Sequence, residues 1–286
     1  LAIDAFGAPR EHFDPALGAL WGGAHHLAAF QELNTLLGSP QESNKTRSHQ
    51  APVSYRIIPA VLGHAHWAVG QAEEVAATTL PAVTHNPTYL EPDALHPYGR
   101  CISTGGFHNA LAAPLIDGLT GVWADICLLA GRLCAGLLNG RVSGFSDFLL
   151  PDRDIGDSDG HGAVGYLPMA IAGFIEEARA LAQRSFIPAW DASIFGQDDV
   201  ASPVFLAWPK EAKAGRALDR SLAVLAVTAS QALHLTDRQD VAEPLRSLLE
   251  LVRSTVPPVD ADRVLGGELD TLSQRFTALV FDAEEQ

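Results

Sequence analysis

Large apolar side chains recur at steps of three and four between Leu111 and Leu138. Leu111, Leu115, Leu119, Val122, Ile126, Leu129, Leu133 and Leu137 fall on one stripe of a single long helix. The same period predicts helices over Ala163–Ser185, with Pro168 near the start where a missing N–H costs little, and over Ala217–His234. Two more are expected: Pro244–Val256, stopped by Pro257-Pro258, and Pro59–Thr78, built around Val61, Ala65, Val69 and Ala76. Turn-forming residues separate these stretches. Gly38–Arg47 reads as a polar loop, Thr84–Gly106 as an extended, irregular connection rich in Pro, Gly and Asn, and Ser146–Gly162 as an acidic loop. With no internal repeat and no long Gly/Ser tether, the expected architecture is all-α: one elongated bundle of long helices over residues 1–286.

Composition supports that picture. At 47% hydrophobic and 19% charged residues the chain can bury a substantial core. Ala and Leu recur throughout while aromatic residues make up 7%, which favours helices over sheets. The net charge of −15 repels phosphate backbones, and no Lys/Arg cluster with interleaved aromatics overrides it. Nucleic acid and anionic membrane surfaces are therefore not expected partners. Asp117, Asp125 and Arg132 interrupt the longest apolar stretch, so a membrane span is not expected there either. No signal-like segment opens the sequence, and a cytoplasmic location is the expectation. Cys127 and Cys134 sit seven apart in the apolar stretch and read as two buried thiols, with Cys101 apart from them. His25-His26 and His64-x-His66 do not place their rings on one helical face, and the Asp152–Gly160 run lacks the closing glutamate of a calcium loop. No metal is expected.

Ordered landmarks resemble the C-terminal part of the histidine/phenylalanine ammonia-lyase family. Leu1–Phe6 followed by Phe13-Asp14-Pro15-Ala16 is similar to the family's "LSLEA…FDPAIHA" entry. Gln50-Ala51-Pro52-Val53-Ser54-Tyr55-Arg56 and the following Ile58–Gly63 resemble "QDPYSLRC-PQV-G". Asn86-Pro87 is similar to the end of "TDNP", and Ile102–His108 to "ISGGNFHG" with the long helix after it. Arg141–Leu149 resembles "LSGLPAFL", Gly165-Tyr166 resembles "SGFM", and Pro188–Asp199 resembles "PASVDSIPTSANQED". Val256–Leu272, with its Pro-Pro-Val-Asp-x-Asp-Arg, resembles the closing segment.

The resemblance implies enzymes that eliminate ammonia from aromatic L-amino acids or shift the amine to the β-carbon. It implies an imidazolone electrophile (MIO) cyclised from an internal Ala-Ser-Gly, and tetramers of long helices whose sites draw on three subunits. On the matching positions Arg56 would grip the substrate carboxylate and Phe107 would line the pocket. Gln50 would hydrogen-bond around the electrophile, and Asp198 would sit at the substrate side-chain end. The departures matter as much. The family's tyrosine is Val53 here, which cannot exchange a proton; Ala51, His85, Gly106 and Val200 replace polar family residues; and no Ala-Ser-Gly occurs. The resulting expectation is one subunit of a two-component, hetero-oligomeric lyase or aminomutase acting on an amino acid, free or carrier-bound. It would form no prosthetic group of its own, the MIO coming from a partner polypeptide equivalent to the family's N-terminal half. The alternative is a non-catalytic structural or regulatory subunit that completes a helical complex.

Overall fold

The computed structural model describes residues 1–38, 50–150, 163–185, 199–236, 241–260 and 263–279. Short helices α1 (Ala2–Phe6) and α2 (Pro15–Trp21) lead into α3 (Ala24–Leu37). A single turn, α4 (Val53–Arg56), precedes α5 (Ile58–Thr79). A two-stranded hairpin of β1 (Thr88–Leu90) and β2 (Arg100–Ile102) then leads to α6 (Ala112–Leu138) and the short α7 (Gly140–Ser143). The long α8 (Leu167–Leu181) and α9 (Val204–Leu235) follow, then α10 (Glu243–Thr255) and α11 (Gly266–Thr277). The all-α long-helix expectation holds.

α6 is the axis of the bundle, packed on α5, α8 and α9. Its buried stripe includes Val122, Leu129, Leu133 and Leu137, as the apolar period requires. α5 and α8 run antiparallel to α6: Ala65 and Ala68 of α5 meet Val122, the Tyr55 ring lies beside Gly136, and Ile175 of α8 lies against Gly131. α9 runs parallel, with Glu211 accepting from Trp123 Nε1 at 2.9 Å and Ala217 packing with Cys127. Where the three helices cross, the buried side chains are small: Ala124, Cys127, Ala178 and Ala217. Gly131 leaves room for Ile175, so the backbones approach closely. α6 and the turn before it form a stretch long and apolar enough to cross a membrane by length and composition, and half of that window is buried in the bundle. Burial pushes the Cys127 and Cys134 thiols up to about 11 and about 12.

α5, α6 and α10 fall within about two residues of the bounds read from the sequence. α8 is shorter than expected, a 3-10 turn (Ala163–Tyr166) preceding it. α9 begins thirteen residues before Ala217, running through Pro209 inside the helix. α3 and α11 were not expected; their stripes are thin, with Phe30, Leu33 and Leu37 buried in one and Leu272 in the other. The Gly38–Arg47 loop lies almost wholly outside the described residues, as does the acidic run from Asp152 to Gly160.

Two buried polar groups mark opposite energetic situations. Gln231 of α9 donates from Nε2 to the Val259 carbonyl at 3.1 Å and accepts from the Val259 N–H at 2.8 Å, clamping the strap after Pro257-Pro258. Tyr55 is fully buried and stacked on Phe6 with ring centroids 4.4 Å apart, yet among the described residues its hydroxyl has no hydrogen-bond partner. Replacing Gln231 by leucine orphans both buried Val259 backbone groups, and chemical unfolding should show a loss of at least about 2 kcal/mol. Tyr55→Phe should have the opposite sign, a gain of about 1 kcal/mol, because it deletes an unpaired buried hydroxyl and keeps the ring. A loss of stability in Tyr55→Phe would show that the hydroxyl is satisfied.

Candidate functional site

One corner forms where the chain turns into α5. Pro52 restricts Ala51 to an extended conformation and starts the single turn of α4. Opposite faces of so short a turn then diverge. Val53 is 58% exposed, whereas Tyr55 is 0% exposed and points into the core. Burial raises the Tyr55 phenol well above its ordinary range, so it is no replacement for a surface proton carrier.

Arg56 ends that turn, half-buried, and donates from Nε to the Ala51 carbonyl at 3.0 Å. Among the described residues this is its one hydrogen bond, so the two terminal amino groups stay uncommitted. Ala51 is itself held from the other side, its N–H donating to His12 Nε2 at 3.2 Å. His12 belongs to a 3-10 turn (Arg10–Phe13) anchored by buried Phe13 and by an ion pair between Arg10 and buried Asp4. Gln50 is exposed beside Ala51. The corner thus holds Arg56 against the carbonyl of the residue that follows exposed Gln50, with terminal donors of a kind that suits a carboxylate.

Phe107 lies elsewhere. It is 59% exposed in a 3-10 turn (Gly106–His108) just before α6. Asn86 shapes the approach, its Oδ1 accepting from Thr104 N–H at 2.9 Å and from Ser103 Oγ at 3.1 Å. Ser202 Oγ donates to the His108 carbonyl at 3.1 Å, bringing the segment before α9 to this end. Asp117 accepts from the Ser185 N–H and hydroxyl, both at 2.7 Å, and Lys210 Nζ approaches Asp117 at 3.7 Å. A cavity of about 460 Å³ lined by His108, Pro114, Asp117 and Arg184 opens beside this network. Asp198 lies outside the described residues.

Arg56 sits at the C-terminal end of α6, beside the Tyr55–Gly136 contact, and Phe107 precedes the N-terminal end. A helix of 27 residues keeps the two about 40 Å apart. No amino-acid-sized molecule touches both within one chain. His25, His26, His64 and His66 fall on the α3/α5 pair, where His66 Nε2 meets Glu32 Oε2 at 3.4 Å. Among the described residues no three metal-ligating side chains converge. Sequence reasoning missed His12 and the Asp117–Ser185–Lys210 network; neither has a signal in spacing, because each joins residues far apart in the chain.

Known proteins match along nearly the whole chain. The histidine ammonia-lyase of Symbiobacterium thermophilum is 25% identical over 276 residues, which cover 96% of this chain and 52% of that protein. The crystal structure of histidine ammonia-lyase from Trypanosoma cruzi superposes with a TM-score of 0.83 at 21% identity, covering 97% of this chain and 50% of the other. Ergothionase from Treponema denticola gives a TM-score of 0.84 at 18% identity over 97% of this chain and 54% of its own. The phenylalanine aminomutase of Pantoea agglomerans gives 0.82 at 17% identity, over 96% and 56%. The chain thus spans about half the length of the curated relatives it matches. The family model described as aromatic amino acid lyase matches residues 1–254, and with that match the chain belongs to the aromatic amino acid lyase family.

Proposed function

We propose that this chain is one subunit of a carbon–nitrogen lyase or aminomutase acting on an amino acid, free or carrier-bound. The electrophile would be supplied by a partner chain carrying the portion of the relatives that these 286 residues do not match. The observation that carries the reading is the Arg56 corner. Its guanidinium is fixed through Nε, and its terminal N–H groups are free to form the two parallel bonds that a carboxylate accepts. The separation of about 40 Å between Arg56 and Phe107 supports a site completed by other chains. An open apolar groove of about 450 Å³, walled by Leu62, Ile126, Leu133, Leu222, Leu225 and Phe276, supports a partner that packs helices on this flank.

The reaction must remove a weakly acidic β-proton while an amine departs. Arg56 would hold the carboxylate and so fix the substrate's Cα and Cβ relative to the rest of the site. Gln50, exposed beside it, would hydrogen-bond around the reacting end. An imidazolone, when bound, would supply the electrophilic carbon for the amine; no Ala-Ser-Gly occurs in these 286 residues, so in this reading it would come from the partner. Val53 has nothing to exchange and Tyr55 is sealed in the core, so neither would carry the proton, and the family's catalytic tyrosine would come from the partner.

A structural or regulatory subunit is the second reading, favoured by that exposed valine. Turnover separates the two. The complex co-purified with its partner should convert L-histidine, L-phenylalanine, L-tyrosine or their carrier-bound forms to unsaturated or β-amino acids, followed by ultraviolet absorbance and chromatography. Arg56→Ala should lower kcat/KM by about 30- to 1000-fold, the loss of a charge-assisted bidentate pair worth about 2–4 kcal/mol. Unchanged kcat/KM would remove Arg56 from the carboxylate site, and an intact but inert complex would favour the structural subunit.

A further inference from the structure

We infer that His12 is a positioning residue for the Arg56 corner. The inference rests on the reading of Arg56 as the carboxylate holder. Ala51 is 2% exposed, so no water substitutes for a lost partner at its N–H. Pro52 removes the next backbone donor and keeps Ala51 extended, so this short strap has few local bonds of its own. The His12 imidazole satisfies the Ala51 N–H across 39 positions of sequence. The carbonyl of the same residue takes the Arg56 Nε–H. One alanine is thereby pinned at both polar groups, by His12 on one side and Arg56 on the other.

His12 can act as an anchor because its own turn is fixed. Phe13 is 1% exposed in the core, and Arg10 is paired with buried Asp4. A long arginine side chain loses substantial rotamer freedom when it binds a ligand, and holding Nε in advance removes part of that cost. Gln50 shares a peptide bond with Ala51, so the same anchor sets its backbone. His12 does not reach the substrate in this scheme; it acts through Ala51.

Hydrogen exchange of the isotopically labelled chain, read by NMR, tests this without any substrate. In the native chain the Ala51 amide and the Arg56 Nε–H should both exchange slowly. In His12→Leu the Arg56 Nε–H should exchange about tenfold faster, the equivalent of one hydrogen bond. In His12→Gln, whose Oε1 reaches the place of Nε2 and accepts the same N–H, the rate should return to within about twofold of the native value. An unchanged Arg56 Nε–H in folded His12→Leu overturns the inference, and so does failure of folded His12→Gln to rescue it. Should His12→Leu not fold, the native Ala51 amide decides: protection supports the anchor and fast exchange overturns it. In the active complex His12→Leu should raise KM about tenfold with little change in kcat, as expected for lost ground-state grip. Because the exchange experiment contains no amino acid, its failure is distinct from an Arg56→Ala result that contradicts the carboxylate reading.

Discussion

Ala124 and Cys127 of α6, Ala178 of α8 and Ala217 of α9 are all buried at one crossing, and their small size sets how closely three long helices approach. A larger side chain at any of them would push axes apart and open the stripes that Leu129, Leu133 and Leu137 fill on the same helix. The contact also keeps α6 a continuous rod of 27 residues with its polar functional segments attached at the two ends. The corner at Gln50–Arg56 and the turn at Phe107 inherit their separation from that rod. Neither loop could be moved toward the other without breaking the packing that gives the chain its core.

On the proposed reading such a molecule would place recognition at its ends and adhesion on its flank. Among the described residues the groove lined by α1, α6, α9 and α11 is apolar, with Leu222, Leu225 and Phe276 on its walls. Side chains at the α6 N-terminal end, Phe107, Leu111, Phe205 and Trp208, are also more than half exposed. Surfaces of that kind are usually covered in a finished assembly. The proposed division of one site among chains is consistent with this geometry: the end carrying Arg56 would meet another chain's end that presents the rest of the pocket.

Much of this was legible in the sequence. The α6 stripe is long and regular enough that periodicity alone placed its ends within a residue. α9 was half legible: its buried half carries the period, but Pro209 and the charged Lys210, Glu211, Lys213 and Arg216 mask the first three turns. Tertiary contacts, such as Glu211 with Trp123, hold that segment helical against local preference. α3 was hidden because His25, His26 and several alanines dilute its stripe; Gly63 lets it pack so close that a Cβ there would lie 2.9 Å from the His26 Cα. Arg56, Gln50 and Phe107 were named as candidates through the resemblance of their flanking residues, and His12, proposed to steady two of them, was not. Nothing in the residues around position 12 encodes a bond to position 51.

The exchange of partners within Val53-Ser54-Tyr55-Arg56 carries the sharpest chemical consequence. On a single helical turn, residues two apart point to different sides. A tyrosine at position 53 would stand on the exposed side, where Val53 is found; at position 55 the phenol is stacked on Phe6 and shut from solvent. The phenol at position 55 is therefore core packing, while Arg56, one residue on, keeps its Nε bond to the Ala51 carbonyl. On the proposed reading this turn would hold a carboxylate through Arg56, and neither Val53 nor Tyr55 would move a proton. If the proposed complex eliminates an amine, the base would come from the partner chain, and the reaction would be coupled to assembly.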